Sequence, residues 1–236
     1  MKTRIRFILL IFSFFVLLIV GFLFFIIGKA FIPMQTTFES MATDIKFTVV
    51  IDAGHGGRDS GACYGGAFEK DLTLSISKKI KEFLSLYNVK IEMTRTDDRL
   101  LCEEKSKHKK RDDLLNRFKF ATSFENQVFV SIHINKFPEN KYKGLQVFYS
   151  VNDPFSESLA LVLQSNAKDL LQPFNNRDIK RGNSSIYLLD RLECPAVLIE
   201  CGFISNPEER VLLSDESYQN ELAFVIANSI IEFLNI

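Results

Sequence analysis

KFTVVIDAGHGG, residues 46–57, runs Phe47, Thr48, Val49, Val50 and Ile51 together and then stops on glycine, histidine and two more glycines. An unbroken run of branched and aromatic residues is the pattern of a strand covered on both faces, as in a parallel sheet. Glycine permits φ > 0 and close approach by another group. Gly54, Gly56 and Gly57 therefore predict a tight turn that aims His55 out of the strand end, with space left where a bulky substrate approaches. A plain strand-to-loop turn explains the glycines but not the histidine between them.

Outward from this stretch, strand follows helix repeatedly. Leu72, Ile76, Ile80, Phe83 and Leu84 recur at a helical period within 69–87, and VKIEMTR (89–95) reads as a second strand. A helix is predicted over 112–122, strands at QVFVSIH (127–133) and LQVFYS (145–150), and a helix over 154–171. AVLIEC (196–201) is another buried strand, and an amphipathic helix over 217–234 closes the chain. This alternation predicts an α/β domain, a twisted, largely parallel sheet with helices on both faces. The loop between the second strand and Asp112 is too short to hold an extra helix that would plug a site.

The amino terminus differs in kind. Residues 7–27 are uncharged and nearly all Phe, Ile, Leu and Val, long enough to cross the roughly 30 Å hydrocarbon core of a bilayer. The run exceeds a cleaved leader's apolar core and lacks a small-residue cleavage site, so one N-terminal transmembrane helix is expected. Lys2, Arg4 and Arg6 precede it, which places residues 1–6 in the cytoplasm and the rest outside. Residues 28–44 then read as a tether and 45–236 as the catalytic domain. A formal net charge of +0 gives no argument for nucleic acid as a partner, so the partner must be read from sites.

In such a sheet, loops converge at the carboxyl ends of strands. There the chain delivers His55, His133 and Glu200, with Glu69 or Asp71 at the start of the first helix near the same rim. Two histidines and a carboxylate with an open position form a usual catalytic zinc set, and a further carboxylate can take a proton from bound water. Spacing does not choose between Glu69 and Asp71.

IDAGHGG (51–57), FEKD (68–71), TRTDD (94–98), FVSIHIN (129–135) and PAVLIECGFISNPEE (195–209) together resemble the zinc-dependent N-acetylmuramoyl-L-alanine amidases of the amidase 3 family. The resemblance covers about 47–234 and implies one zinc per chain, held by His55, Glu69 and His133, with Glu200 as the catalytic glutamate. It implies a peptidoglycan substrate, hydrolysed between muramic acid and L-alanine. The single anchor and SSIYLLDRLECPAVLIECGFISNPEE (184–209) look most like the membrane-anchored spore-cortex amidases, with an accessory envelope protein as a possible controller. An amidase of vegetative wall remodelling is the near alternative, and two other classes, a peptidoglycan-binding or regulatory module and a different zinc hydrolase, stand beside this reading. A peptidoglycan-binding module would have no need of Glu200, and a peptidoglycan carboxypeptidase would not carry IECGFISN.

The remaining residues carry less. KSKHKKR (105–111) reads as a solvated helix start, with an outer contact to anionic lipid or glycan as the sharper alternative, and His108 is unassigned. Arg95 and Arg117 match family positions, yet pairing with Asp97, Asp98 or Asp113 is the favoured role. Asn135 is divided between orienting the site and capping a turn. Cys194 and Cys201, seven apart, point to opposite faces if they share a strand and so do not pair, and Cys63 is left out of the metal set.

Overall fold

The computed structural model describes residues 16–22 and 47–235. Residues 1–6, the tether 28–44 and most of the predicted span 7–27 lie outside the described residues. Residues 16–22 form a short helix, α1, with Leu17 and Phe22 exposed. Among the described residues no helix is long and apolar enough to cross a membrane. Lys46–Ile236 forms one compact unit by itself.

Its frame is a six-stranded sheet in the order β4-β1-β5-β8-β6-β7. The run from 46 becomes β1 (Thr48–Ala53), buried throughout, with β4 (Lys90–Met93) on one side and β5 (Gln127–Asn135) on the other. β8 (Ala196–Phe203) extends this parallel set. β6 (Gln146–Tyr149) runs antiparallel to β8, and β7 (Lys180–Arg181) is parallel to β6. The sheet is thus mixed and mostly parallel. A separate hairpin, β2 (Cys63–Tyr64) with β3 (Ala67–Phe68), lies in the loop after β1.

Alternation along each strand sorts the layers. Val49, Ile51, Val130, Ile132, Val197 and Ile199 share a core with α2 (Glu69–Leu84), α4 (Phe155–Leu170) and α7 (Glu216–Leu234). Each helix presents an i, i+4 stripe to it, as Leu72, Ile76, Ile80 and Leu84 do in α2. Val50, Phe129 and Ala196 point the other way, onto α3 (Lys109–Ala121) and α5 (Tyr187–Arg191). The strand residues of the first face are apolar, while the second face carries Asp52, Ser131, His133 and Glu200. Between β8 and α7, α6 (Pro207–Ser214) starts on Asn206, whose side chain accepts from the Glu208 and Glu209 amides, with Pro207 in the first turn.

The expected α/β alternation is present, with boundaries moved by a few residues. The hairpin, β7, α5 and α6 are additions. The chain enters β1 at Phe47, at the end of the strand opposite His55.

Candidate metal centre

The turn after β1 is more strained than its glycines require. His55 itself has φ 62°, a left-handed conformation that costs a non-glycine residue about 1–3 kcal/mol, followed by Gly56 at 136° and Gly57 at 55°. Two fully buried arginines hold it there. Arg117 donates from Nη2 to the His55 carbonyl at 2.6 Å and from Nη1 to the Ala53 carbonyl at 2.9 Å. Arg95 donates to the carbonyls of Ala53 and Gly54, both at 2.9 Å. Gly56 and Asp59 close the turn by exchanging backbone hydrogen bonds at 2.9 and 3.0 Å.

The space beside the glycines is not left for substrate. A Cβ at Gly54 would come 2.5 Å from the His133 ring, and one at Gly56 would collide with the Arg99 carbonyl. Gly61, which the sequence reading passed over, has the same role: its Cβ would fall 2.5 Å from Glu69 Oε2 and 2.7 Å from the His55 ring. The glycines let the site's own side chains close on one another.

His55, Glu69 and His133 converge, each offering one ligand atom within 4.8 Å of the others. Glu69 Oε1 lies 3.2 Å from His55 Nε2 and 2.9 Å from His133 Nδ1. The β2–β3 hairpin brings Glu69 in as the first residue of α2, where its carboxylate accepts from the amides of Ala62 (2.7 Å) and Ile134 (3.0 Å). Asp71, two residues along the helix, faces solvent and takes no part. Asp59 Oδ2 holds His55 Nδ1 at 2.9 Å, which leaves Nε2 for the cluster, the outer hydrogen bond that metal-binding histidines typically have.

The electrostatics of the cluster favour positive charge. Burial opposes a charged His55, but Asp59 and Glu69 outweigh it and raise its pKa to about 9. Burial likewise opposes an ionised Glu69, yet His133 and His55 hold its carboxyl far below the usual range. Asp59 is held at about 2, chiefly by its hydrogen bond from His55. Two imidazoles and a carboxylate, pre-oriented around one point, fit a small divalent cation of the zinc type.

Glu200 stands beside this cluster. In the β5–β8 register it lies opposite His133, and across β6 it faces Gln146. The residue is partly exposed at its edges, but its Oε2 is shut off from solvent and has no hydrogen-bond partner among the described residues. Burial is the main cause that pushes its pKa up to about 7; nearby His133 pulls it down and Glu69 raises it further. Under the cluster, Asp52 is the opposite case, buried but bonded to Arg117 (2.6 Å), Thr94 (2.7 Å) and Ser131 (2.7 Å). Between the sheet and α3 and α5, a cavity of about 220 Å³ reaches from Asp52 and Phe129 up to His55 and His133.

The other residues singled out in the sequence lie outside the donor set. Arg117 pairs with Asp113 at 2.8 Å as expected, whereas Arg95 bonds the Asp97 backbone carbonyl at 3.1 Å and not a carboxylate. Asn135 gives its backbone carbonyl to the Ile204 amide at 2.9 Å. The Cys63 thiol lies 3.2 Å from the Ser60 hydroxyl and outside the donor set, and His108 precedes α3 without a capping hydrogen bond from its side chain. Cys194 and Cys201 sit in separate cores on opposite faces of the sheet.

Residues 49–232 match the family described as N-acetylmuramoyl-L-alanine amidase. A germination-specific N-acetylmuramoyl-L-alanine amidase of Bacillus subtilis (strain 168) is 35% identical over 188 residues, 78% of either chain. The fold superposes on the CwlD amidase of Clostridioides difficile, solved in complex with the GerS lipoprotein, with a TM-score of 0.77 and 38% identity over 80% of this chain and 98% of that one. It also superposes on the amidase AmiC2 of Nostoc punctiforme, with a TM-score of 0.70 and 30% identity over 81% and 98%.

Proposed function

The chain belongs to the N-acetylmuramoyl-L-alanine amidases, and from that premise we propose that it is a zinc enzyme of spore-cortex maturation, with His55, Glu69 and His133 as metal ligands and Glu200 as its acid–base residue. One zinc per chain, when bound, supplies a Lewis acid for the amide carbonyl and acidifies water. The observation that carries the reading is the unpartnered Glu200 Oε2 beside the three converging donors.

The chain's own residues have separable tasks. Asp59 and the amides of Ala62 and Ile134 orient His55 and Glu69, so the donors need little rearrangement. Glu200, whose Oε2 has no competing hydrogen bond among the described residues, accepts the proton of the attacking water and passes it to the departing alanine nitrogen. The products are a glycan with a free lactyl carboxylate and a released stem peptide. A module that only bound peptidoglycan would keep a buried, unpartnered carboxylate at a desolvation cost with no return.

Residues 7–27 serve as the anchor and 28–44 as the tether, which puts the domain outside the cytoplasm where its substrate lies. An accessory envelope protein as controller is supported by the neighbour solved with a lipoprotein.

Glu200→Gln keeps the shape and an acceptor oxygen but cannot take the proton. Stem-peptide release by the full-length protein should fall by about 10²–10⁴-fold with zinc content unchanged. Near-normal turnover in that variant would falsify the role of Glu200; lost zinc would instead make it a ligand. The cortex role predicts that a strain lacking the gene makes cortex without muramic lactam, read by mass spectrometry of its muropeptides, and normal lactam content overturns it.

A further inference from the structure

The basic run Lys105–Arg111 has one residue that the rest do not resemble: Lys110 lines the cavity under the metal cluster. The floor of that cavity is buried, at Asp52, Phe129 and Ser131, while Lys110 and Ser185 are exposed at its mouth. Leu114, Leu188 and Leu198 make much of the wall apolar. Arg117, also on the wall, is saturated by Asp52, Asp113 and two carbonyls. Lys110 is different. Among the described residues it has no ion-pair partner within 4.0 Å.

Resting on the amidase reading, we propose that this cavity receives the peptide side of the scissile bond and that Lys110 pairs with the α-carboxylate of the glutamyl residue following the alanine. An alanine methyl suits a small apolar wall, whereas a sugar ring brings several hydroxyls that leucine side chains cannot satisfy. The charge argues the same way. The N-acetylated sugars are neutral, and the lactyl carboxyl is consumed in the amide, so the glycan side has no anion for Lys110. The stem peptide does, and in peptidoglycans where that carboxylate is amidated the anion is lost.

Two soluble glycan–peptide fragments, identical except for a glutamyl α-carboxylate or its primary amide, test this with full-length protein. Wild type should favour the carboxylate form by about fivefold in kcat/KM, the worth of one partly exposed ion pair. In Lys110→Ala the ratio falls to about one, in Lys110→Glu it inverts, and Lys110→Arg restores it. Binding of both fragments to Glu200→Gln, measured by calorimetry, reads the same preference without turnover. Equal treatment of the fragments by wild type, or a preference that survives in Lys110→Ala, overturns the proposal. A binding preference that depends on Lys110, in a protein that hydrolyses neither fragment, supports it and sinks the amidase reading instead.

Discussion

Two buried carboxylates on one face of the same sheet have opposite surroundings. Asp52, beneath the metal cluster, has the Arg117 guanidinium and two hydroxyls, and although burial opposes its charge these partners hold its pKa below the usual 3.8. Glu200, beside the cluster, has none of these, and burial leaves it at about 7. The two groups differ in what is spent on them. Asp52 is bonded on both oxygens and cannot exchange protons without breaking the frame that holds His55. Glu200 is left unbonded at one oxygen, so it can carry a proton with no such loss. A buried acid with saturated partners is structure, and one without them is chemistry.

The comparison breaks first if the metal cluster does not need both histidines. His133→Ala and His55→Ala each remove a ligand, and activity should fall by more than about 10⁴-fold together with loss of zinc by elemental analysis. Wild-type zinc content in both variants would end the ligand assignment. Next in size is Asp52→Asn, which leaves a buried guanidinium short of a counter-charge. It should cost about 3–5 kcal/mol in urea unfolding. A loss under about 1 kcal/mol would mean that Asp113 alone suffices for Arg117.

Acid should act on the two groups in opposite senses. The folded pKa of Asp52 is depressed, so its stabilisation is complete above the unfolded value near 3.8 and is lost as pH falls through the lower folded value. The folded pKa of Glu200 is raised, so in the metal-free protein stability declines as pH climbs from 4.5 towards 7. A pH series of melting temperatures should show Asp52→Asn flattening the acid limb and Glu200→Gln removing the decline between pH 4.5 and 7 in the metal-free protein. The smallest effect expected is that of Glu200→Gln on stability at neutral pH, a melting temperature unchanged or slightly raised. A marked drop would place Glu200 with Asp52, as part of the frame.

The central strands were legible because β1, β5 and β8 are runs of branched apolar residues that few other structures accommodate, and the histidines and glutamate at their ends were legible as chemistry out of place in a core. Two-residue strands have no period to detect, which is why the hairpin that delivers Glu69 and the edge strand β7 were not foreseen. Asn206-Pro207-Glu208-Glu209 is a helix-start signal that was available and unused, and α6 begins there. Spacing could not separate Glu69 from Asp71, since both fall in the first turn of α2; only the hairpin's approach turns one inward. Asp59 had no signal beyond its distance of four residues from His55, and the left-handed turn that brings them together is imposed by Arg95 and Arg117 from elsewhere in the chain.

The entry of the chain at Phe47 and the position of His55 fix a direction of work. Six residues of β1 at about 3.3 Å each put His55 roughly 20 Å from Phe47, at the opposite end of the strand. Under the anchoring proposed above, 17 residues from 28 to 44 could reach at most about 60 Å, so linker length would set the range of the site, adjustable by a few ångströms per residue without touching the catalytic machinery.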